Sequence, residues 1–230
     1  MSTLYMVATP IGNLEDITYR ALRILKEVDT IACEDTRQTL KLLNHYGISS
    51  HLISCRAANE KQSAPGIVAL LDQGQNVAYV SDAGTPCVSD PGRILVRTVR
   101  DGGHEVVPVP GATAAASLIS VCGYPGKAWT FEGFLPPKGN KRISRLEELM
   151  GRPEASILYE SPHRIIRLLK EVKMIDPKRN LLLGREISKK FEEILEGTAE
   201  QLFANWENRT TIKGEIALLI MGQEKVKKKG

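Results

Sequence analysis

Short apolar runs alternate with amphipathic stretches through the first half of the chain. Leu4–Ala8, Thr30–Cys33, His51–Ser54, Val77–Val80 and Glu105–Val109 are bounded by turn residues and predict strands. Between them, Ile17–Val28, Thr36–Tyr46, Ala64–Gln73 and Gly92–Asp101 predict helices, and Thr113–Val121 predicts one after the fifth strand. In the first helix Ala21, Leu22, Leu25 and Val28 fall at i, i+1, i+4 and i+7, which is one helical face. Strand–helix repetition of this kind predicts a mostly parallel sheet with right-handed crossovers.

The rhythm breaks at the turn residues Gly123-Tyr124-Pro125-Gly126 and Phe134–Asn140. Beyond them the pattern predicts strands at Trp129–Leu135, Ser156–Tyr159, Asn180–Glu186, Phe191–Gly197 and Glu215–Met221. Helices are expected at Lys141–Met150, Pro162–Val172 and Ala199–Trp206. Adjacent strands with short connections point to a mixed sheet. The expected organisation is an N-terminal α/β domain over 1–122, a C-terminal α/β domain over 123–223 and a basic tail over 224–230.

Four of the first-half turns follow strands and would share one sheet edge if the sheet is parallel. They are Thr9-Pro10-Ile11-Gly12-Asn13, Glu34-Asp35-Thr36-Arg37, Ser81-Asp82-Ala83-Gly84-Thr85-Pro86 with Ser89-Asp90-Pro91-Gly92, and Pro110-Gly111-Ala112-Thr113-Ala114. The carboxyl edge is where open α/β sheets bind ligands. In the third turn Gly84 allows close backbone approach and Pro86 and Pro91 stiffen the chain, the makings of a ligand cradle.

Several common devices are missing. No two glycines stand as Gly-x-Gly, which removes the dinucleotide fingerprint. There is no P-loop, no Gly-x-Ser-x-Gly nucleophile elbow, and the four histidines are scattered without H-x-x-x-H, so no metal site is indicated. With 42% hydrophobic and 25% charged residues the chain is globular, and its net charge of +4 is compatible with an RNA partner without requiring one. Cys33, Cys55, Cys87 and Cys122 are widely spaced and read as free, mostly buried thiols. No apolar run approaches the ~20 residues of a membrane span and the first residues carry no signal pattern, so a cytoplasmic protein is expected.

Taken in order, further motifs accompany these turns: Phe131-Glu132-Gly133-Phe134-Leu135-Pro136, Tyr159-Glu160-Ser161-Pro162-His163-Arg164, Arg185-Glu186 with Lys189, Phe191-Glu192-Glu193, and Gly214-Glu215. With Tyr5–Leu14, Cys33–Arg37 and Ser81–Gly92 they make the chain resemble the small-subunit ribosomal RNA (cytidine-2′-O)-methyltransferases of the tetrapyrrole methylase superfamily. The resemblance runs from about Leu4 to Met221. It implies a two-domain α/β fold with S-adenosylmethionine in the cleft between the domains, a homodimer, and a cytidine ribose in the decoding region of small-subunit ribosomal RNA as substrate, free or in the assembled subunit. By motif position it implies cofactor contacts from Pro10, Ile11, Asp82, Ala83, Gly84, Thr85, Val88, Thr113, Ala114, Tyr159, Lys213 and Glu215. Two departures stand out. Cys55–Glu60 lacks the histidines many members carry there, so a histidine base at that place is excluded, and Pro110-Gly111-Ala112-Thr113 replaces the more usual Pro-Gly-Pro-Ser.

A 2′-O-methylation must remove a hydroxyl proton. Glu34, Asp35 and Asp90 are the candidates for that task, with helix capping and salt bridging as the competing roles of the two aspartates. For RNA, Arg37, Lys138, Lys141, Arg142, Arg164 and Lys189 are the candidate phosphate contacts. Trp129, Phe131 and Phe134 are expected in the core. Two other readings remain open: a relative that methylates a tetrapyrrole, against which the Phe131–Pro136 and Tyr159–Arg164 motifs speak, and a ribosome-binding protein without catalysis.

Overall fold

A computed structural model describes residues 2–123 and 128–223. The chain divides after Thr113 into two compact units. The turn at Gly123 instead follows α5 (Ala114–Ser120), whose Ala115 and Leu118 pack with sheet residues of the second unit. Part of that turn and the basic tail lie outside the described residues.

The first unit is a five-stranded sheet with β1 (Thr3–Val7), β2 (Thr30–Cys33), β3 (His51–Ser54), β4 (Val77–Val80) and β5 (Glu105–Val109) in the order β3-β2-β4-β1-β5. Every pairing is parallel, as the strand–helix repeat predicts. Its helices are α1 (Tyr19–Glu27), α2 (Thr36–His45), α3 (Glu60–Asp72) and α4 (Arg93–Asp101). Successive strand residues point to opposite faces, so each central strand feeds two cores. Ile31, Cys33, Ala78 and Val80 pack with α1 and α2, whereas Ala32, Val77 and Tyr79 pack with α3 and α4. The connections leaving β1 and β2 thus cover one face, and those leaving β3 and β4 the other. The direction of winding reverses beside β4, which makes the carboxyl ends of β2, β4 and β1 the switch point of the sheet.

The second unit carries β6 (Trp129–Phe134), β7 (Ala155–Glu160), β8 (Asn180–Arg185), β9 (Glu193–Thr198) and β10 (Ile216–Ile220) in the order β6-β7-β10-β8-β9. Only β6 and β7 pair in parallel; the other pairings are antiparallel, so the sheet is mixed. Helices α6 (Asn140–Met150), α7 (Ile165–Ile175) and α8 (Ala199–Trp206) pack on one face with Leu181, Leu183, Leu218 and Ile220. On the other face α5 packs with Leu182 and Leu219.

Three boundaries differ from the pattern for physical reasons. Helix α3 starts at Glu60, ahead of Pro65, because the buried Glu60 carboxylate is held by the amides of Gly92 and Leu95 at 3.0 and 2.9 Å. Helix α7 starts after Arg164, since residues 161–164 form a turn closed by the Arg164 amide on the Ser161 carbonyl. Strand β9 begins at Glu193 and leaves Phe191 in the preceding loop, 65% exposed. Trp129 and Phe134 are not core residues, being 42% and 54% exposed at the edge strand β6, while Phe131 packs against Tyr159. None of the four cysteines forms a disulfide; Cys33, Cys55 and Cys122 are buried and Cys87 is exposed.

Candidate functional site

The loops leaving β1, β2, β4 and β5 are tied together at the carboxyl edge of the first sheet. Thr9 and Gly84 exchange backbone hydrogen bonds of 2.9 and 3.0 Å, joining the loops after β1 and β4. The Asp35 amide donates to Asp82 Oδ1 at 3.0 Å, joining the loops after β2 and β4. Thr85 Oγ1 donates to the Ala112 carbonyl at 3.0 Å and brings in the loop after β5. Pro10, Ile11, Asp82, Ala83, Gly84 and Thr85 are therefore neighbours in one frame, although they come from separate turns.

Gly84 is required by this frame. Its φ is +77°, and a Cβ there would stand 3.2 Å from Ile11 Cγ2. Further along the loop, Cys87 and Ser89 adopt left-handed conformations without being glycine, with φ of 69° and 67°. Such residues persist only where surrounding structure holds them. Here the Cys87 amide donates to the Pro91 carbonyl, the Val88 amide to the Thr85 carbonyl, and Glu60 anchors Gly92 and the first turn of α4. Asp90 lies half-buried in this segment.

Two neighbouring carboxylates at the edge, Asp35 and Glu34, have different environments. Asp35 caps α2, accepting from the Arg37 amide at 2.9 Å, and its two oxygens are bound by the Arg37 guanidinium at 3.1 and 2.8 Å. Those bonds lower its carboxyl to about 2. Glu34 moves the opposite way: burial first, then the negative charge of Asp82, raise its carboxyl above the ordinary value. A carboxylate with a raised pKa is the better proton acceptor. Arg37, expected on a phosphate, is spent on Asp35 though exposed.

One group at this edge is absent from the sequence-derived site. Thr9 is 3% exposed and its Oγ1 finds no hydrogen-bond partner among the described residues. Buried hydroxyls are normally satisfied. Its only sequence signal is its place ahead of Pro10.

In the second unit Tyr159, near the end of β7, has Phe131 and Phe134 edge-on at 4.9 and 5.9 Å, and its hydroxyl accepts from the Ala115 amide at 3.1 Å. The neighbouring Glu160 is 2% exposed and binds three groups: Arg142 Nη1 at 3.1 Å, Arg164 Nε at 2.6 Å and the Ser161 amide at 2.8 Å. Arg142 is a correction to the expected RNA contacts. It is 0% exposed, donates to Glu171 at 2.8 Å and to the Pro136 carbonyl at 3.2 Å, and presents nothing to a phosphate. Lys138 and Lys141 are exposed, and Arg164 is partly so. Lys189 bridges Glu186 and Glu215 at 2.9 and 3.0 Å. Lys213 is exposed, its carbonyl accepting from Arg185 at 3.2 Å.

Among the described residues no group of histidines, cysteines and carboxylates could hold a metal ion, and no helix is long and apolar enough to cross a membrane.

An all-parallel sheet with its loops knotted at the switch point, followed by a mixed α/β unit, has close counterparts. Residues 3–202 match the family model of the tetrapyrrole (corrin/porphyrin) methylases, and the chain belongs to that family. Within it, the chain is similar to the ribosomal RNA small subunit methyltransferase I of Halalkalibacterium halodurans, 45% identical over 97% of this chain and 78% of that one. It is also similar to the protein of the same name from Borrelia garinii subsp. bavariensis, 44% identical over 94% of this chain and 97% of that one. Among solved structures, uroporphyrin-III-C-methyltransferase from Thermus thermophilus superposes with a TM-score of 0.67 at 20% identity, covering 96% of this chain and 94% of that one, a likeness of fold.

Proposed function

We propose that this protein transfers a methyl group from S-adenosylmethionine to small-subunit ribosomal RNA, at the 2′-oxygen of a cytidine in the decoding region. The observation that carries the reading is the 44–45% identity to relatives named as small-subunit ribosomal RNA methyltransferases over nearly the whole chain. The cofactor supplies an electrophilic methyl group on sulfur.

The first unit fits such a cofactor. S-adenosylmethionine carries an ammonium and a sulfonium against one carboxylate, so it is a net cation, and Glu34, Asp35 and Asp82 make this sheet edge acidic. The unpartnered Thr9 hydroxyl, the positive-φ Gly84 backbone and the loop through Val88 provide polar and close-approach contacts. Pro10, Ile11, Ala83, Thr85 and Thr113 belong to the same reading.

Glu34 is the base in this reading. Its raised carboxyl suits acceptance of the ribose hydroxyl proton, whereas Asp35 is held low by Arg37 and serves as the α2 cap. Asp90 belongs to the loop that Glu60 anchors and is the alternative acceptor. Alignment of oxygen, carbon and sulfur supplies the rest of the acceleration. The exposed Lys138 and Lys141, with the partly exposed Arg164, are the phosphate contacts in this reading, while Arg37 and Lys189 are held by carboxylates. A homodimer in the cytoplasm completes the proposal.

The test is transfer of labelled methyl to purified small ribosomal subunits lacking the modification, with the label mapped. Label on a cytidine 2′-oxygen is expected. No label on subunits, with label on a porphyrinoid offered in parallel, would replace this reading by tetrapyrrole methylation.

A further inference from the structure

The loop joining β8 to β9, residues 186–192, presents an aromatic ring to solvent from a backbone held at nearly every position. Phe191 is 65% exposed. Its carbonyl accepts from Arg185 Nη2 at 3.1 Å, and the same guanidinium donates to Glu193 at 3.0 Å and to the Lys213 carbonyl at 3.2 Å. The Ser188 amide donates to the Glu192 carboxylate at 2.6 Å, the Glu192 amide to the Lys189 carbonyl at 3.1 Å, and the Lys189 amide to the Glu186 carbonyl at 2.9 Å. Glu186 and Ser188 are held at φ of 51° and 70°, left-handed conformations that cost energy for residues other than glycine. A large apolar side chain kept in water by so determined a backbone calls for a partner, because the loop gains nothing from its exposure.

The charge around the ring indicates which partner. Glu186 and Glu215 are taken by Lys189, Glu193 by Arg185 and Arg209, and Glu192 by the Ser188 amide. The Lys190 ammonium instead stands 5.7 Å over the Phe191 ring, and among the described residues it makes no ion pair. The exposed Lys213 is brought beside the loop by Arg185. An exposed ring on a fixed backbone, flanked by cations without carboxylate partners, matches single-stranded nucleic acid, whose bases stack on aromatic faces while its phosphates take the cations. A preorganised loop also loses little backbone entropy on binding.

We propose that Phe191 is a stacking platform for an unpaired base of the RNA substrate, with Lys190 and Lys213 holding the adjoining phosphates. The site deepens the proposed ribosomal RNA reading and rests on it.

The test measures binding of full-length protein to octacytidylate and to an abasic ribose-phosphate octamer of equal length. The unsubstituted protein is expected to prefer the base-carrying strand by about tenfold, the size of one base–aromatic stack. Phe191→Ala is expected to abolish that preference and Phe191→Trp to keep it. Lys190→Gln is expected to weaken both strands equally and to flatten the salt dependence. Equal binding of octacytidylate by Phe191→Ala and the unsubstituted protein overturns the proposal. So does a shift from dimer to monomer in sedimentation on Phe191→Ala, which would seat the ring on a second copy of the chain. Methyl transfer to small subunits is assayed separately. Base-dependent binding without transfer keeps this site and removes the proposed reaction; transfer with unaltered binding by Phe191→Ala does the reverse.

Discussion

The backbone amide of Asp35 donates to the carboxylate of Asp82 at 3.0 Å, which locks the loop after β2 to the loop after β4 at the switch point of the sheet. The Asp82 charge so placed also helps to raise the carboxyl of Glu34. With Glu34 as the proposed base, the acid limb of the pH–rate profile is expected above the ordinary carboxyl range. Asp82→Asn keeps an acceptor for the Asp35 amide but removes the charge. Its acid limb should move to lower pH, toward the position set by burial alone. Glu34→Gln should lower kcat by about 100-fold or more, a loss larger than any change in cofactor affinity. An acid limb unmoved by Asp82→Asn would detach Glu34 from the reaction.

Gly84→Ala places a methyl 3.2 Å from Ile11 in a backbone that side chains rarely adopt. The loop must shift or the Thr9–Gly84 pairing must open. Isothermal titration with S-adenosylmethionine is expected to give an affinity at least tenfold weaker, with a lowered Tm.

Glu60 anchors the far end of the same loop from inside the protein. Glu60→Ala leaves the buried amides of Gly92 and Leu95 without their acceptor, a cost of about 2–5 kcal/mol in denaturant unfolding. Glu60→Gln retains one acceptor oxygen and should cost less. Loss of loop order should appear as weaker cofactor binding in Glu60→Ala beyond that in Glu60→Gln.

Arg142 and Glu160 are both fully buried, and their contact joins α6 to the end of β7. Removing one partner strands the other in a low-dielectric interior, so Arg142→Met should destabilise by about 3–5 kcal/mol. The double variant Arg142→Met with Glu160→Gln should lose less than the two single losses added together. Additive losses would show that the pair is not coupled.

The sequence determined both sheets. In the first unit the apolar runs at Val77–Val80 and Thr30–Cys33 are too short for helices and buried on both faces, as strands covered on both sides must be. The turns at Thr9, Glu34, Ser81 and Pro110 were legible as one edge because parallel strands put every such turn at the same end. Their joining was not legible, since the hydrogen bonds between Thr9 and Gly84 and between Asp35 and Asp82 cross dozens of residues. Likewise, residue type alone separates neither Glu34 from Asp35 as a proton acceptor nor Arg142 from Lys141 as a phosphate contact. Burial and partners decide: Arg37 holds Asp35 low, Asp82 lifts Glu34, and two carboxylates take Arg142 out of solvent. Local pattern fixes which face of an element is apolar, a property of neighbouring residues. The protonation and availability of a charged side chain depend on what lies within a few ångströms of it in space, and that is set by the tertiary structure alone.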